Sequence, residues 1–423
     1  MKKGWDLIIG GLIIVLVLCF FVPAVYAQGN ITLGRLAVHP GIGVKAEFWD
    51  NIYYESEMVP GGKQEDLLYT LSPSVIMGYT GEPGNYLTFG AYSDLVAYST
   101  NDENNYQTLS PFIYFGFKSP MGFYLRAHDN FLLTKDPFGS ANSYAIGENT
   151  KRWNNKLTLS GGYEFDIYAV ELMYENYLEG WDLEKNRWQD RIDHTGGVSF
   201  FYNLTEKTKL LGQYRRTIAE YEQQNDGIVV GGRRWSTSTS QDYTLNSFFI
   251  GARFEPGGKL AGEIKLGYGT KEFENERDPA GNAYEDDGDF IAETNIDYQI
   301  LDRTSAHLNL QRGLLGSPDG DASSYLDTRM TFMVNQEFAY RLSASLGLDL
   351  GNQDYRNLIP GRPDKQFNIY AYIAKINYNI QDWIKAGVEY KYEHKQASDT
   401  DYLPYLRQEY KSNKFTVLLS AVF

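Results

Sequence analysis

The stretch that decides the fold is residues 260–269, Leu260-Ala261-Gly262-Glu263-Ile264-Lys265-Leu266-Gly267-Tyr268-Gly269. Leu260, Gly262, Ile264, Leu266 and Tyr268 fall on one side of an extended chain. Ala261, Glu263, Lys265, Gly267 and Gly269 fall on the other, and that side carries charge. A period of two belongs to a β-strand, in which successive side chains point to opposite faces. The same two-sided pattern recurs in Tyr168, Val170, Leu172 and Tyr174 against Glu171 and Glu175. It returns in Ile384, Ala386, Val388, Tyr390 and Tyr392 against Lys385, Glu389 and Lys391. Such strands divide lipid or core from water.

Marking every such run predicts about 18 strands, starting near Gly41, Leu67, Tyr86, Tyr106, Phe123, Lys156, Ile167, Arg191, Lys209, Gln241, Lys259, Asp289, Thr304, Ser324, Leu342, Gln366, Trp383 and Gln408. The connections alternate in length. Those after even-numbered strands are short, such as 119–122, 205–208 and 301–303. Those after odd-numbered strands are mostly longer and more polar, such as 134–155, 179–190, 222–240, 274–288 and 395–405. Strict alternation is what a transmembrane barrel with short periplasmic turns and long outer loops requires. With an even count, both ends of the barrel lie on the periplasmic side. The spacing of about 22 residues per strand and connection accommodates tilted spans of roughly 9–11 residues. The predicted fold is therefore an all-β, antiparallel transmembrane barrel of a Gram-negative outer membrane, with the barrel over 41–423 and a periplasmic segment over 28–40.

The N-terminus agrees with export. Lys2 and Lys3 precede an apolar run over residues 7–22, and Ala27 is followed by polar Gln28. This reads as a signal peptide over 1–27, cleaved between Ala27 and Gln28. Cys19, the only cysteine, lies inside it, so the mature chain has no disulfide and no thiolate metal site. The whole chain has a formal net charge of −15, and the mature form holds 37 basic against 53 acidic residues. Nucleic acid is thus not an expected partner. Aromatic residues at 15% and charged residues at 22% also argue against a disordered chain.

The last strand puts Phe415, Val417, Leu419, Ala421 and Phe423 on one wholly apolar face. A terminal aromatic on an alternating strand resembles the signal by which outer-membrane assembly machinery recognises its clients, so that machinery and outer-membrane lipid are expected partners. Three further segments carry a family resemblance: Gly34, Arg35, Leu36, His39 and Pro40 before Asp50, Asn51 and Ile52; Leu204 to Thr208 before Gln213, Tyr214 and Arg215; and Lys259, Leu260, Gly262, Glu263, Gly267 and Tyr268. On these the chain resembles the "putative β-barrel porin type 2" group, which includes outer-membrane proteins associated with exopolysaccharide operons. The resemblance implies an outer-membrane channel for a secreted polysaccharide, with periplasmic export machinery as a partner, and brings no catalytic residues.

Eighteen strands leave an aqueous lumen. By alternation its lining includes Lys45, Glu47, Asp94, Arg126, Glu171, Glu263, Lys265, Glu293, Asp297, Asp327, Arg329, Lys385, Glu389 and Lys391. Both signs are present, which suits cross-strand ion pairs and a neutral or weakly charged glycan, with Tyr92 and Trp49 as candidate stacking platforms. A solvated, unselective wall is the plainer reading of the same residues. Most tyrosines are expected in the interfacial girdles. The connection over 134–155, with Phe138, Tyr144 and Trp153, is the longest and a candidate constriction. The acidic segment 274–289 attracts cations but lacks the ligand spacing of a calcium loop. Thr70-Leu71-Ser72-Pro73 recurs as Thr108-Leu109-Ser110-Pro111.

Enzymatic readings find little support. His39, His128, His194, His307 and His394 are scattered, and no nucleophile motif or phosphate-cradling glycine loop is present. No catalytic residue, metal site or cofactor is expected. The readings that stand are a polysaccharide export channel, a general diffusion porin, and an adhesin or structural protein of the outer membrane.

Overall fold

The computed structural model of the chain describes residues 31–423 except 60, 82–83, 137–149, 184–186, 188, 222–227, 231–232, 236–240, 279–280, 282, 318–321, 359–360 and 399–401. The expected signal peptide lies outside the described residues. The wall is a closed antiparallel barrel of 18 strands. In chain order these are β1 (Leu36–Trp49), β2 (Asp66–Thr80), β3 (Tyr86–Tyr92, resuming as Leu95–Tyr98), β4 (Tyr106–Gln107, resuming as Ser110–Lys118), β5 (Phe123–Asp136) and β6 (Thr150–Glu164). Then come β7 (Tyr168–Trp181), β8 (Arg191–Thr205), β9 (Thr208–Tyr221), β10 (Tyr243–Phe254), β11 (Leu260–Phe273) and β12 (Asp287–Leu301). The last six are β13 (Thr304–Gly316), β14 (Ala322–Glu337), β15 (Leu342–Leu358), β16 (Lys365–Gln381), β17 (Ile384–Ala397) and β18 (Tyr410–Val422).

Each strand pairs with its sequence neighbours, and β1 closes the ring on β18 from Gly41↔Val422 to Trp49↔Lys414. The Phe423 amide adds a bond to the Pro40 carbonyl at 2.9 Å. Closure leaves no long unpaired edge on which another chain could template. Tight turns of a few residues join β9 to β8 and β13 to β12, whereas 50–65 and 222–242 separate β1 from β2 and β9 from β10.

Alternation sorts the side chains. Across one height of the wall, Leu172, Val198, Tyr214, Phe248, Tyr268 and Phe290 are register partners in turn. Leu172, Phe248 and Tyr268 are 63%, 58% and 54% exposed, as befits a face meant for lipid. The closing strand puts Val417 and Leu419 beside Ala46 and Val44, whose other partners Tyr69 and Leu71 are also exposed. Phe423 packs on Trp383 with ring centroids 5.2 Å apart.

Three expectations change. The first strand begins at Leu36, so the second half of the expected periplasmic segment is wall: Ala37 pairs with Gly78, and Ile31–Leu33 folds back on residues 36–38. The connection over 134–155 is shorter than expected, because β5 and β6 stay paired up to Asp136↔Thr150. Backbone pairing does not need an apolar residue, so polar Thr134, Lys135 and Lys151 continue the ladder into water. Phe138 and Tyr144 lie outside the described residues, and Trp153 is a strand residue stacked on Phe131 at 6.2 Å and 18°. The longest connection is 222–242.

Candidate functional site: the inner wall

Which face is concave follows from reach. Arg215 on β9 pairs with Glu293 on β12, three strands away. Three strand spacings of ~4.8 Å put about 14 Å between those backbones along the sheet. Side chains from such strands meet only where the wall curves toward them, so the charged face is the inside.

On this face lies a belt of ion pairs in the half nearer the short turns. Arg126 approaches Glu171 at 3.6 Å, and Glu171 also takes the Tyr124 hydroxyl at 3.0 Å. Arg253 sits 3.9 Å from Glu171 and 2.6 Å from Glu263. Lys265 then joins Glu263 at 3.1 Å to Glu293 at 2.7 Å, and Arg215 closes the chain on Glu293. The guanidinium groups of Arg215 and Arg253 also lie over Phe249 and Phe201, at 4.5 and 4.3 Å from the ring centroids, a geometry that favours cations. The far wall repeats the theme: Lys45 with Glu47 at 3.5 Å, Lys375 with Glu389 at 2.9 Å, Lys391 with Glu393 at 2.6 Å and Arg329 with Asp349 at 3.9 Å.

Of the residues read from the sequence as lining, the structure thus draws Arg126, Glu171, Glu263, Lys265 and Glu293 into one network. It pairs Lys45, Glu47, Arg329, Glu389 and Lys391 elsewhere. Asp297 meets His307 at 2.8 Å, and Lys385 has Ser420 as its register partner. Asp327 stands opposite Gln353. Arg215 is not legible by alternation because Arg215-Arg216 puts a cation on each face, and Arg253 because it stands at the end of its strand beside the short turn.

A second inner-wall feature spans β3 to β5. Tyr92, 47% exposed, stacks on Phe112 at 5.5 Å and 19°. Phe112 meets Tyr114 at 4.9 Å, and Tyr114 meets the His128 ring at 5.1 Å. The Tyr86 hydroxyl lies 3.1 Å from His128 Nε2, and the Tyr114 hydroxyl donates to Asn130 at 2.5 Å. The repeated Thr-Leu-Ser-Pro segments bracket this feature at the break in β3. Ser72 donates to the Asp94 carboxylate at 2.5 Å, and the Thr108 hydroxyl accepts from the Asp94 amide at 2.9 Å. Trp49, the other expected platform, is only 4% exposed. Its face is covered by the Lys414 ammonium at 3.4 Å from the centroid, and its edge by Tyr54 at 5.2 Å.

The outer end of the lumen is narrowed by strands of the wall itself. Pairing between β12 and β13 stops at Ala292↔Arg312. Above that point β13–β15 lean across the lumen. The Lys271 ammonium on β11 donates to the Leu315 carbonyl at 3.3 Å, and Gly316 sits against the Tyr221 hydroxyl of β9, where a Cβ would clash. Leu314 and Leu326, by alternation lipid-facing, are 1% and 2% exposed. Arg356 on β15 ties this flap to β12 through Asp287 and Asp289, both at 2.6 Å, and Arg312 joins Asp289 at 3.1 Å. Two carboxylates of the acidic 274–289 segment are thereby neutralised by arginine. Among the described residues no group of three metal-ligating side chains occurs. Beneath the flap, Tyr325, Tyr355, Phe367 and Tyr405 form a buried cluster with the Lys365 ammonium 4.4 Å from the Tyr355 ring.

A cavity of about 820 Å³ opens beside the 50–65 connection, lined by Tyr53, Asn104, Tyr106 and Lys135 among others. There Asn104 donates to the Tyr53 hydroxyl at 2.6 Å, and burial pushes that hydroxyl's pKa up.

Charge separates along the pore axis. The nine outer connections hold 24 acidic against 8 basic residues, whereas the wall strands hold 22 against 24. The net negative charge of the sequence therefore falls in the outer connections, and the wall is close to neutral.

No curated protein matches the sequence. Among solved structures, the chain is similar to Pseudomonas aeruginosa OpdK with vanillate, at 9% identity and TM-score 0.46, covering 91% of this chain and 99% of that one. It is also similar to P. aeruginosa OccK2 (OpdF), at 10% identity and TM-score 0.45, covering 91% and 97%. The siderophore receptor PirA of the same organism matches at 6% identity and TM-score 0.38, covering 91% and 80%. Residues 233–421, from the connection before β10 through the closing strand, match the family model described as "Putative beta-barrel porin 2". With the closed wall, apolar outside and charged inside, this match makes the chain a porin-like β-barrel channel of the Gram-negative outer membrane.

Proposed function

We propose that the barrel is a conduit for an extracellular polysaccharide of little net charge, passing outward from the short-turn side. The observation that carries this reading is the self-neutralised inner wall. Arg126, Glu171, Arg253, Glu263, Lys265, Glu293 and Arg215 satisfy one another, so the wall offers many hydrogen-bonding groups but little net field. A polyhydroxylated chain exchanges hydrogen bonds with such a surface without having to lose counterions. The acidic outer mouth then opposes re-entry of anionic material, a steering effect that salt screens.

The outward direction rests on the resemblance to exopolysaccharide-associated barrels. In this reading the periplasmic export machinery docks at the short turns. The narrowed outer end favours a gated conduit over a permanently open diffusion porin. Deletion of the gene tests the reading: surface polysaccharide should fall while permeability to small solutes stays unchanged. Unaltered polysaccharide with reduced solute uptake would establish the diffusion porin instead.

A further inference from the structure

We propose that Tyr92, Phe112 and Tyr114 form a saccharide-binding track on the inner wall, a deepening that rests on the conduit reading above. The three rings are continuous, with centroids 5.5 and 4.9 Å apart, and His128 extends the row by 5.1 Å. The track begins at mid-height, where Tyr92 pairs with Ser74. It descends toward the turn before Tyr86, the end from which a periplasmic chain enters.

The track is built rather than incidental. Phe112 lies over Gly90, where any Cβ would press on its ring, so the glycine sets how closely the ring sits on the wall. Hydrogen bonds fix the flank: Tyr114 to Asn130, Tyr86 to His128, and Ser72 to Asp94 at the break just after Tyr92. A part-exposed row of rings bordered by a carboxylate, a carboxamide and an imidazole matches a sugar ring, which has an apolar C–H face and a rim of hydroxyls. An aliphatic or steroid ligand leaves that polar border unanswered. The carboxylate of Asp94 disfavours carboxylated or sulfated sugars. The ligand class is therefore a neutral glycan.

The test is current blockade in planar bilayers by a neutral gluco-oligosaccharide of six units, with a uronic-acid oligosaccharide in parallel. Wild type, Tyr92→Ala, Tyr92→Ala/Phe112→Ala and Tyr92→Phe are compared, each first checked for heat-modifiable migration. The neutral oligosaccharide should block wild type and Tyr92→Phe alike, and the double variant about tenfold more weakly, the order that loss of stacked rings implies. The single Tyr92→Ala variant should fall between and decides the matter if the double variant does not assemble. Equal blockade of wild type and the alanine variants would overturn the track while leaving the conduit reading standing. Stronger blockade by the uronic-acid oligosaccharide would overturn the neutral-glycan assignment. Steady conductance with no blockade of wild type by either sugar would overturn track and conduit together.

Discussion

Two sectors of the same inner wall solve one problem differently. Between β5 and β12 the lumen face is an ionic belt in which Arg126, Glu171, Arg253, Glu263, Lys265, Glu293 and Arg215 each have an opposite neighbour. Between β3 and β5 it is a row of rings, with Asp94 held by Ser72 and Thr108 at its border. Both obey the same period of two. The alternation therefore dictates which side a residue occupies, and leaves the chemistry of that side open. The belt is electrostatic and responds to salt and to charge reversal, while the rings respond to neither.

The hardest blow to the comparison is to remove the wall that both sectors share. Leu266 is 45% exposed on the lipid face, next to the belt residue Lys265 on the other. Leu266→Arg should cost about 2–4 kcal/mol near the midplane and impair assembly; wild-type heat-modifiable migration would show that Leu266 does not face lipid. Next in size is the flap. Arg356→Gln leaves Asp287 and Asp289 without their 2.6 Å partner, a loss of about 1.5–3 kcal/mol for hydrogen bonds between charged groups. Single-channel conductance should rise, and an unchanged conductance would mean that the flap does not limit flow.

Within the belt, Glu263→Arg sets a third cation between Arg253 and Lys265. The barrel should still assemble but shift its reversal potential toward anion preference, whereas an unmoved potential would take Glu263 out of the ion path. The smallest effect separates the sectors most cleanly. Raising the salt from about 0.1 to 1 M shortens the screening length from about 10 to 3 Å, so ion selectivity should weaken while blockade by the neutral oligosaccharide holds. Parallel loss of both would merge the two sectors into one electrostatic surface.

Much of this was legible in the sequence because lipid enforces alternation on every strand. Sixteen of the eighteen strands start within two residues of the expected positions; β6 starts earlier because polar residues pair as readily as apolar ones, and β1 because residues 37–40 continue the ladder with 75–78. The length parity of connections also reads directly. What did not read were features that alternation cannot encode. Leu314 and Leu326 have the spacing of lipid-facing residues and are buried by the inward lean of β13–β15. Trp49 looks like an open platform until the Lys414 ammonium from the closing strand is seen to cover it. The Arg215–Glu293 contact joins residues 78 apart in sequence and depends on the curvature of a closed wall. The repeated Thr-Leu-Ser-Pro segments gain a meaning only when both are found holding Asp94.

The central claim is that a single wall has a greasy outside and a wet, continuous inside. Because the only cysteine is Cys19, single-cysteine substitution is clean. Leu125, 40% exposed on the lipid face, neighbours Arg126 on the inner face, and Ile376, 56% exposed, neighbours Lys375 on the opposite wall. With a charged, membrane-impermeant maleimide on intact outer membranes, Arg126→Cys and Lys375→Cys should label, and Leu125→Cys and Ile376→Cys should not. Labelling of the Leu125 and Ile376 positions with protection of the other two, or equal labelling of all four, would contradict the account.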